Sequence, residues 1–238
     1  MAATTQSMFL THMDNQSTPF NWLDSIKVTA LRLRYRLGLS PSQAILRRIK
    51  RYGIDVKPMT ALEVFGGNGS RFTREIASCV ARFEAWEIDP VAAQQLQHNF
   101  PHAKILVTDS IREAKRAEGQ FGLISIDNPM SIFGTRYCEH FDLFPNILRL
   151  GAPQSIFVVT FISCLTTRAK RRFPYLFNTE HLARRATFYE TDSPEDVKPE
   201  FAMRAYEKLA RQIGLRVDWH FVQPRNYIIQ SLVFAIHR

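Results

Sequence analysis

Residues 61–70 read Ala-Leu-Glu-Val-Phe-Gly-Gly-Asn-Gly-Ser. A short apolar run, 61–65, meets three glycines within four positions and is followed by a helical pattern from about 71 to 80. That is the pattern of a strand turning sharply into a helix. Glycines directly after a strand let the backbone approach a ligand, with the amide groups of the helix start pointing at it. The stretch is not a Walker phosphate loop, since no Gly-Lys-Ser/Thr follows. A strand-to-helix turn with no ligand at all reads the same way, so its surroundings have to decide.

Outward from this turn the chain alternates strands with helices. A second strand at 83–88 precedes a helix opened by Pro90 and running to about Asn99. A third strand, 103–107, ends at Thr108-Asp109-Ser110, and a fourth, 121–126, ends at Asp127-Asn128-Pro129-Met130. A helix near 137–150, disturbed by Pro145, leads to a fifth strand at 155–161. Beyond an insertion at about 162–198 comes an amphipathic helix over 200–213 closed by Gly214. Two last strand-like runs, 215–222 and 227–237, are joined by Gln223-Pro224-Arg225-Asn226 and read as an antiparallel pair. The order predicts an α/β fold: a seven-stranded, mainly parallel sheet with a C-terminal antiparallel strand pair and helices on both faces.

Ahead of this domain, 59–238, two segments stand apart. Residues 1–20 are rich in Ser, Thr, Gln and Asn and read as a flexible lead-in. Residues 21–58 read as a basic helical extension. Its first helix has an apolar stripe at Leu23, Ile26, Ala30, Leu33 and Leu37; its second opens at Ser40-Pro41-Ser42-Gln43 and runs to about Arg51. The 238 residues carry a net charge of +9, but unevenly. Nine Lys or Arg stand against Asp14, Asp24 and Asp55 in residues 1–60, a local +6. Six bases (Arg168, Lys170, Arg171, Arg172, Arg184 and Arg185) stand against Glu180 in residues 165–189, a local +5, and the remainder is −2. Segregated charge points to a binding face rather than to general solubility.

Other classes are excluded by composition. No apolar run approaches the ~20 residues of a bilayer span, and the abundance of Leu, Ile, Val and Phe excludes wholesale disorder. Cys79, Cys138 and Cys164 are odd in number and far apart, against a disulfide framework or zinc site and in keeping with a reducing, cytoplasmic compartment. The seven histidines show no metal-ligand spacing, and no secretory signal opens the chain. No metal site is expected.

In an open parallel sheet ligands bind beyond the carboxyl ends of the strands, and four such ends here are polar or glycine-bearing. The first carries Glu63, Phe65, Gly66, Gly67 and Gly69. The second carries Glu87, about 20 residues past the glycines, where an acid can accept from both hydroxyls of a ribose; alone it reads equally as a capping or solvated Glu. Asp109 is placed to accept from an adenine amino group, or to cap the following helix. Asp127, Asn128 and Pro129 mark the fourth end, or a plain strand-ending turn.

Taken together the four resemble the Rossmann-like, class I S-adenosylmethionine (SAM)-dependent methyltransferases. ALEVFGGNGS is similar to that family's E/D-x-x-x-G-x-G motif, AWEIDP to its ribose-binding acid motif and VTDS to its adenine-side acid. The resemblance covers about 60–160 and 200–238. It implies that SAM is the cofactor, with Glu63, Phe65, Gly66, Gly67 and Gly69 near the methionine moiety. It implies Glu87 on the ribose, Ile88 packed on the adenine, and Asp109 with Ser110 at the adenine edge. Asp127, Asn128 and Pro129 would stand at the reacting methyl. Family members that methylate amino groups of nucleic acids carry Asp/Asn-Pro-Pro-aromatic. Asn128-Pro129 matches the first half, while Met130-Ser131 replaces the second, with Phe133 close by. The acceptor atom therefore stays open between a base amino group and another nucleophile. Cys164 reads as a small buried residue rather than a nucleophile.

The insertion interleaves its bases with Phe173, Tyr175, Phe177, Phe188 and Tyr189. Bases contact phosphates and aromatics stack on unpaired bases, so Arg168, Lys170, Arg171, Arg172, Phe173 and Tyr175, with Met130 and Phe133, are the candidate substrate residues. The basic N-terminal helices offer a second phosphate track. Three readings are open. The leading one is a methyltransferase acting on nucleic acid, RNA ahead of DNA. The second is a small-molecule or protein methyltransferase with the insertion as a lid. The third is a nucleic-acid-binding protein on this fold without catalysis.

Overall fold

The computed structural model describes residues 39–69, 72–127, 139–225 and 228–238. By internal contacts the chain divides into two compact units, Met1–Ser40 and Pro41–Arg238. The helix expected over 22–37 belongs to the first and lies outside the described residues. The elements of the second are α1 (Pro41–Arg51), β1 (Thr60–Val64), α2 (Phe72–Ala77), β2 (Arg82–Glu87), α3 (Pro90–Asn99), β3 (Lys104–Val107), α4 (Ser110–Arg116) and β4 (Phe121–Ile126). Two 3-10 turns, Phe141–Leu143 and Asn146–Leu150, lead to β5 (Gly151–Ile162). The insertion holds α5 (Thr167–Arg172), a third 3-10 turn (Pro174–Phe177) and α6 (Thr179–Tyr189). Then come α7 (Pro199–Gln212), β6 (Arg216–Pro224) and β7 (Ile229–His237).

The seven strands lie in the order β3-β2-β1-β4-β5-β7-β6. Strands β1 to β5 pair in parallel, and β7 runs antiparallel to both β5 and β6. This is the expected seven-stranded, mainly parallel sheet with its antiparallel C-terminal pair. Side chains alternate across each strand, so two cores form. Leu62, Val64, Ile124, Ile126, Phe157, Val159 and Phe234 enter one, with Tyr206 of α7 and Tyr189 of α6. Ala61, Leu123, Val158 and Val233 enter the other, with Ile45 and Ile49 of α1, Ile76 of α2 and Leu96 of α3.

Helix α1, part of the basic helical extension read over 21–58, packs on the sheet. Ile45 and Ile49 are buried in the second core, each worth about 1.5–3 kcal/mol of apolar burial. Arg48 donates to the carbonyl of Val222 at 2.8 Å and its guanidinium lies 4.0 Å over the Phe221 ring. Tyr52 stacks on Trp219 at 4.2 Å between centroids. A period-3.6 stripe facing an edge strand with its own aromatic pair makes this helix part of the sheet's cover.

Two elements depart from the sequence pattern. Helix α2 stops at Ala77, three residues short, where the Ser78 hydroxyl donates to the Glu75 carbonyl at 3.1 Å and Cys79 turns back on Ile76. The helix expected near 137–150 is two short 3-10 turns flanking Pro145, which has no N–H for a helical ladder; 137 and 138 lie outside the described residues. No helix among the described residues is long and apolar enough to cross a membrane.

Toward the carboxyl ends of the strands, the second sheet face turns from apolar to polar. Glu63, Ser125, Thr160 and Ser231 are all buried there. The register places Glu63 beside Ser125 and Thr160 beside Ser231. Buried polar groups are costly in a core, so a strip of them at one end marks where the fold serves something other than stability.

Candidate functional site

The strand order reverses at β1, whose neighbours β2 and β4 continue to opposite edges, so a crevice opens beyond its carboxyl end. The glycine turn sits there. Gly67 and Gly69 have φ of 55° and 72°, and Phe65 holds φ 60°, a conformation that a side chain adopts only at a cost. Gly69 is required on a second count. A Cβ there would stand 2.4 Å from Leu96 Cδ1 and 2.5 Å from Phe100 Cε2. A Cβ on Gly67 would meet nothing within 4 Å among the described residues. The loop's backbone is pinned from both flanks: Gly66 N–H donates to the Trp86 carbonyl at 3.0 Å, and Asn99 Nδ2 donates to the Asn68 carbonyl at 2.8 Å.

Glu87 closes the second flank. It is 6% exposed, and its two oxygens are held separately: Oε2 accepts from Gly67 N–H at 2.6 Å, Oε1 from Asp89 N–H at 2.9 Å. Two backbone donors fix the carboxylate's orientation while each oxygen keeps acceptor capacity. The acid motif and the glycine loop, 20 residues apart in sequence, are thus one rigid unit. Ile88, 41% exposed, projects at the same edge. Asp109 caps α4, its Oδ1 accepting from Ile111 N–H at 2.9 Å and Arg112 N–H at 3.4 Å, while Ser110 is buried in the first turn. The capping alternative is thus what Oδ1 does.

Glu63 is the unusual group. It is 3% exposed, and Oε2 has no hydrogen-bond partner among the described residues. Burial pushes its carboxyl up to about 8, against a lowering by the Thr73 hydroxyl; Asp127 raises it further and Arg225 opposes that. With its carboxyl raised to about 8, Glu63 is mostly uncharged near neutrality. Asp127 itself is held by Arg225, whose Nη1 lies 3.3 Å from both Oδ1 and Oδ2 and donates to Thr160 Oγ1 at 2.8 Å.

The chain matches no protein-family model, and no curated protein sequence matches it. Solved structures do. Magnesium protoporphyrin IX methyltransferase (ChlM) from Synechocystis PCC 6803, with bound SAH, superposes with a TM-score of 0.52 at 11% identity. The match covers 83% of this chain and 82% of that one. N-methyltransferase NodS from Bradyrhizobium japonicum WM9 gives 0.51 at 12% identity, over 83% of this chain and 97% of that one. The chain shares the fold of these two methyltransferases. Within this fold the glycine turn, Glu87 and Asp109 stand at three successive strand ends.

On the acceptor side the sequence reading fares differently. Asn128, Pro129, Met130 and Phe133 lie outside the described residues, as do the side chains of Arg168 and Arg172. Lys170 and Arg171 are exposed on α5, Lys170 Nζ lying 5.3 Å from the Phe177 ring centre. Phe173 and Tyr175 pack against Ile162, Leu165 and Leu176. Phe188 stacks on Phe141 at 4.4 Å, and Tyr189 is buried. Phe173, Tyr175 and Phe188 are thus partly buried, each giving part of its ring to the packing of the insertion, and Tyr189 is wholly committed to it.

Two of its bases are likewise committed. Arg184 pairs with Asp142 at 2.7 Å. Arg185 is fully buried: it pairs with Glu139 and donates to the carbonyls of Pro194 at 2.6 Å and Ile162 at 2.7 Å. Tyr189 donates to Glu139 at 3.2 Å, and His140 Nε2 meets the Tyr206 hydroxyl at 2.6 Å. Burial drives His140 and His181 down to about 3, so both are neutral. Burial and Asp196 push the Cys164 thiol up, the wrong direction for a nucleophile. Thr73, Thr160, Arg225 and Glu139 are the residues sequence reasoning missed. Thr160, Arg225 and Glu139 act across 46 to 98 residues and Thr73 from the helix after the glycine turn; of the four, Arg225 stood within the noted connection 223–226.

Proposed function

We propose that the chain is a SAM-dependent methyltransferase. The observation that carries it is the clamp of Glu87 on Gly67 and Asp89 at the point where the strand order reverses. The residues present fit the cofactor. Glu87 offers two oriented oxygens to a ribose, Ile88 an exposed apolar face to the adenine, and Asp109 its carboxylate to the adenine edge, with Ser110 behind it. Phe65, Gly66, Gly67 and Gly69 bring backbone close to the methionine portion. The buried Oε2 of Glu63, without a partner among the described residues, suits an ammonium group, whose charge would draw the raised carboxyl into its ionised form. When bound, SAM supplies an electrophilic methyl on a sulfonium. The chain's part is to bind it, to exclude water and to bring an acceptor against Asp127, Asn128 and Pro129.

The acceptor we infer is a nucleic acid, RNA ahead of DNA, at a base amino group. Support comes from the net +9 and from exposed Arg47, Lys50, Arg51, Lys170 and Arg171, which can contact phosphates. With them go Arg168, Arg172, Phe173 and Tyr175 of the same insertion, and Met130 and Phe133 after β4. The inward packing of Phe173, Tyr175, Phe188 and Tyr189 favours a second reading, a small-molecule acceptor under the insertion as a lid. Transfer from methyl-labelled SAM to separate pools of RNA, DNA, protein and metabolites tests both. Label in RNA, lost steeply as salt rises, is the expected result; label in metabolites alone, insensitive to salt, selects the lid; no SAM binding sinks the methyltransferase itself.

A further inference from the structure

We infer that Arg225 is a positioning residue for the methyl-acceptor site, holding Asp127 by an ion pair anchored on Thr160. The inference rests on the methyltransferase reading above and concerns a residue outside its motifs. Arg225 follows β6, and its backbone N–H donates to the Ile229 carbonyl at 3.0 Å, closing the connection to β7. That connection is tied to the exit of β5, where Ser163 N–H donates to the Ile228 carbonyl at 2.8 Å. From this fixed base one side chain crosses to β5 and β4. Nη1 is 2.8 Å from Thr160 Oγ1 and 3.3 Å from both oxygens of Asp127.

The arrangement differs from a surface ion pair in three ways. The Arg225 side chain is 21% exposed against 40% for Asp127, so the cation is the more sheltered member and the carboxylate the one that faces the crevice. Thr160 is 3% exposed on β5 and has no freedom to follow a moving guanidinium. The pair also adjoins Glu63, on which Asp127 and Arg225 act with opposite sign. Paired with Arg225 through both oxygens, the Asp127 carboxylate is held at the carboxyl end of β4. Such a group receives a hydrogen bond from an N–H or O–H acceptor and gives none. It therefore selects a nucleophile that still carries a proton, an amine or amide nitrogen, over a thiolate or carbanion.

The test is a double-mutant cycle with Arg225→Gln, Arg225→Lys, Asp127→Asn and the combined Arg225→Gln/Asp127→Asn chain. It is read by SAM affinity in calorimetry, by kcat and KM for methyl transfer to total RNA, and by thermal unfolding without cofactor. Arg225→Gln is expected to leave the SAM dissociation constant within about twofold and to lower kcat by a factor of ten or more, with partial rescue in Arg225→Lys. In the Asp127→Asn background Arg225→Gln is expected to add no further loss of kcat and to lower the unfolding temperature less than it does in the wild type, since its bond to Thr160 is still lost. Thr160→Val, which keeps shape and removes the anchor, should show a smaller loss in kcat at unchanged SAM affinity. Independent, additive effects of the two substitutions overturn the inference, as does an Arg225→Gln chain with wild-type kcat. A wild-type chain that binds no SAM overturns the methyltransferase reading instead, while the unfolding cycle still reports on the pair.

Discussion

The two halves of the sheet are built on different principles. In β3-β2-β1 the polar contacts of the crevice are closer in sequence: Asp109 caps its own helix, Glu87 reaches Asp89 two residues on and Gly67 20 residues away, and Asn99 reaches Asn68 across 31. In β4-β5-β7-β6 the decisive pairs are remote. Arg185 and Glu139 are 46 residues apart, His140 and Tyr206 are 66, and Arg225 and Asp127 are 98. The first half is a ready-made binding module whose parts arrive together in sequence. The second exists only once the tertiary fold has closed, so its site and its stability are the same set of contacts. Damage to the first half should therefore show as lost binding in a folded protein, and damage to the second as lost folding.

The largest expected effect tests the second half. Glu139→Ala leaves the Arg185 guanidinium buried without its counter-charge, and breaking such a pair from one side costs about 3–5 kcal/mol. Chemical denaturation should show that loss, with SAM affinity of the remaining folded protein intact. A Glu139→Ala chain as stable as the wild type would erase the contrast. Next in size is Glu87→Ala in the first half. Removing a charged acceptor from a ribose costs about 2–3 kcal/mol, or roughly 30- to 150-fold in SAM affinity by calorimetry. Thermal stability should change far less than in Glu139→Ala. Unaltered SAM affinity would end the assignment of Glu87 to the ribose.

The same division decides what the sequence could reveal. The succession of strands and helices, the glycine turn and the strand-end positions of the acids at 63, 87, 109 and 127 were legible because their periodicity and spacing are local properties of the chain. Residues that act through space carry no such mark. Arg185 reads as one more base in a basic stretch, and nothing in its neighbours says that it is wholly buried on Glu139. Phe188 and Tyr189 read as stacking aromatics, because an aromatic beside arginines looks alike whether it faces solvent or core. Helix α1 carried both signals, an apolar stripe and a basic face; the stripe decided its place, and Arg48 went with it to the Phe221 ring. Composition counts charges without saying which are already spent on partners inside the fold.

Glu63 stands where the halves meet, and its titration sharpens the boundary between them. Its carboxyl lies at 4.5 when unfolded and about 8 in the fold. The unfolded chain thus releases this proton first, so the stability contributed by Glu63 is fully present below pH 4.5 and declines as pH rises, levelling off above about 8. Between those limits the contribution is about 1.4 kcal/mol per pH unit. Glu63→Gln should flatten that slope in unfolding measurements between about pH 5 and 8. Asp127→Asn removes a raising influence and should shift the upper limit down, and Arg225→Gln should shift it up. Matching slopes in wild type and Glu63→Gln would remove Glu63 from the strip.

The smallest effects bear on what the acceptor half meets outside the protein. Lys170 and Arg171 lie exposed on α5, and Arg47 and Arg51 on α1, whose apolar side packs on the opposite sheet face from α6. Exposed charges contribute little to folding, so Lys170→Ala and Arg171→Ala should leave stability within about 0.5 kcal/mol. If they contact phosphates, each should weaken RNA binding a few-fold regardless of sequence and reduce the salt dependence by about one ion. The α1 substitutions, measured the same way, separate one continuous phosphate track from two. A drop for α5 alone confines the nucleic acid to the insertion's side of the sheet. A drop for both requires a substrate long enough to cross the carboxyl edge where Asp127 waits. No drop for either, with SAM binding intact, leaves the inward-packed insertion as a lid and the acceptor as a small molecule.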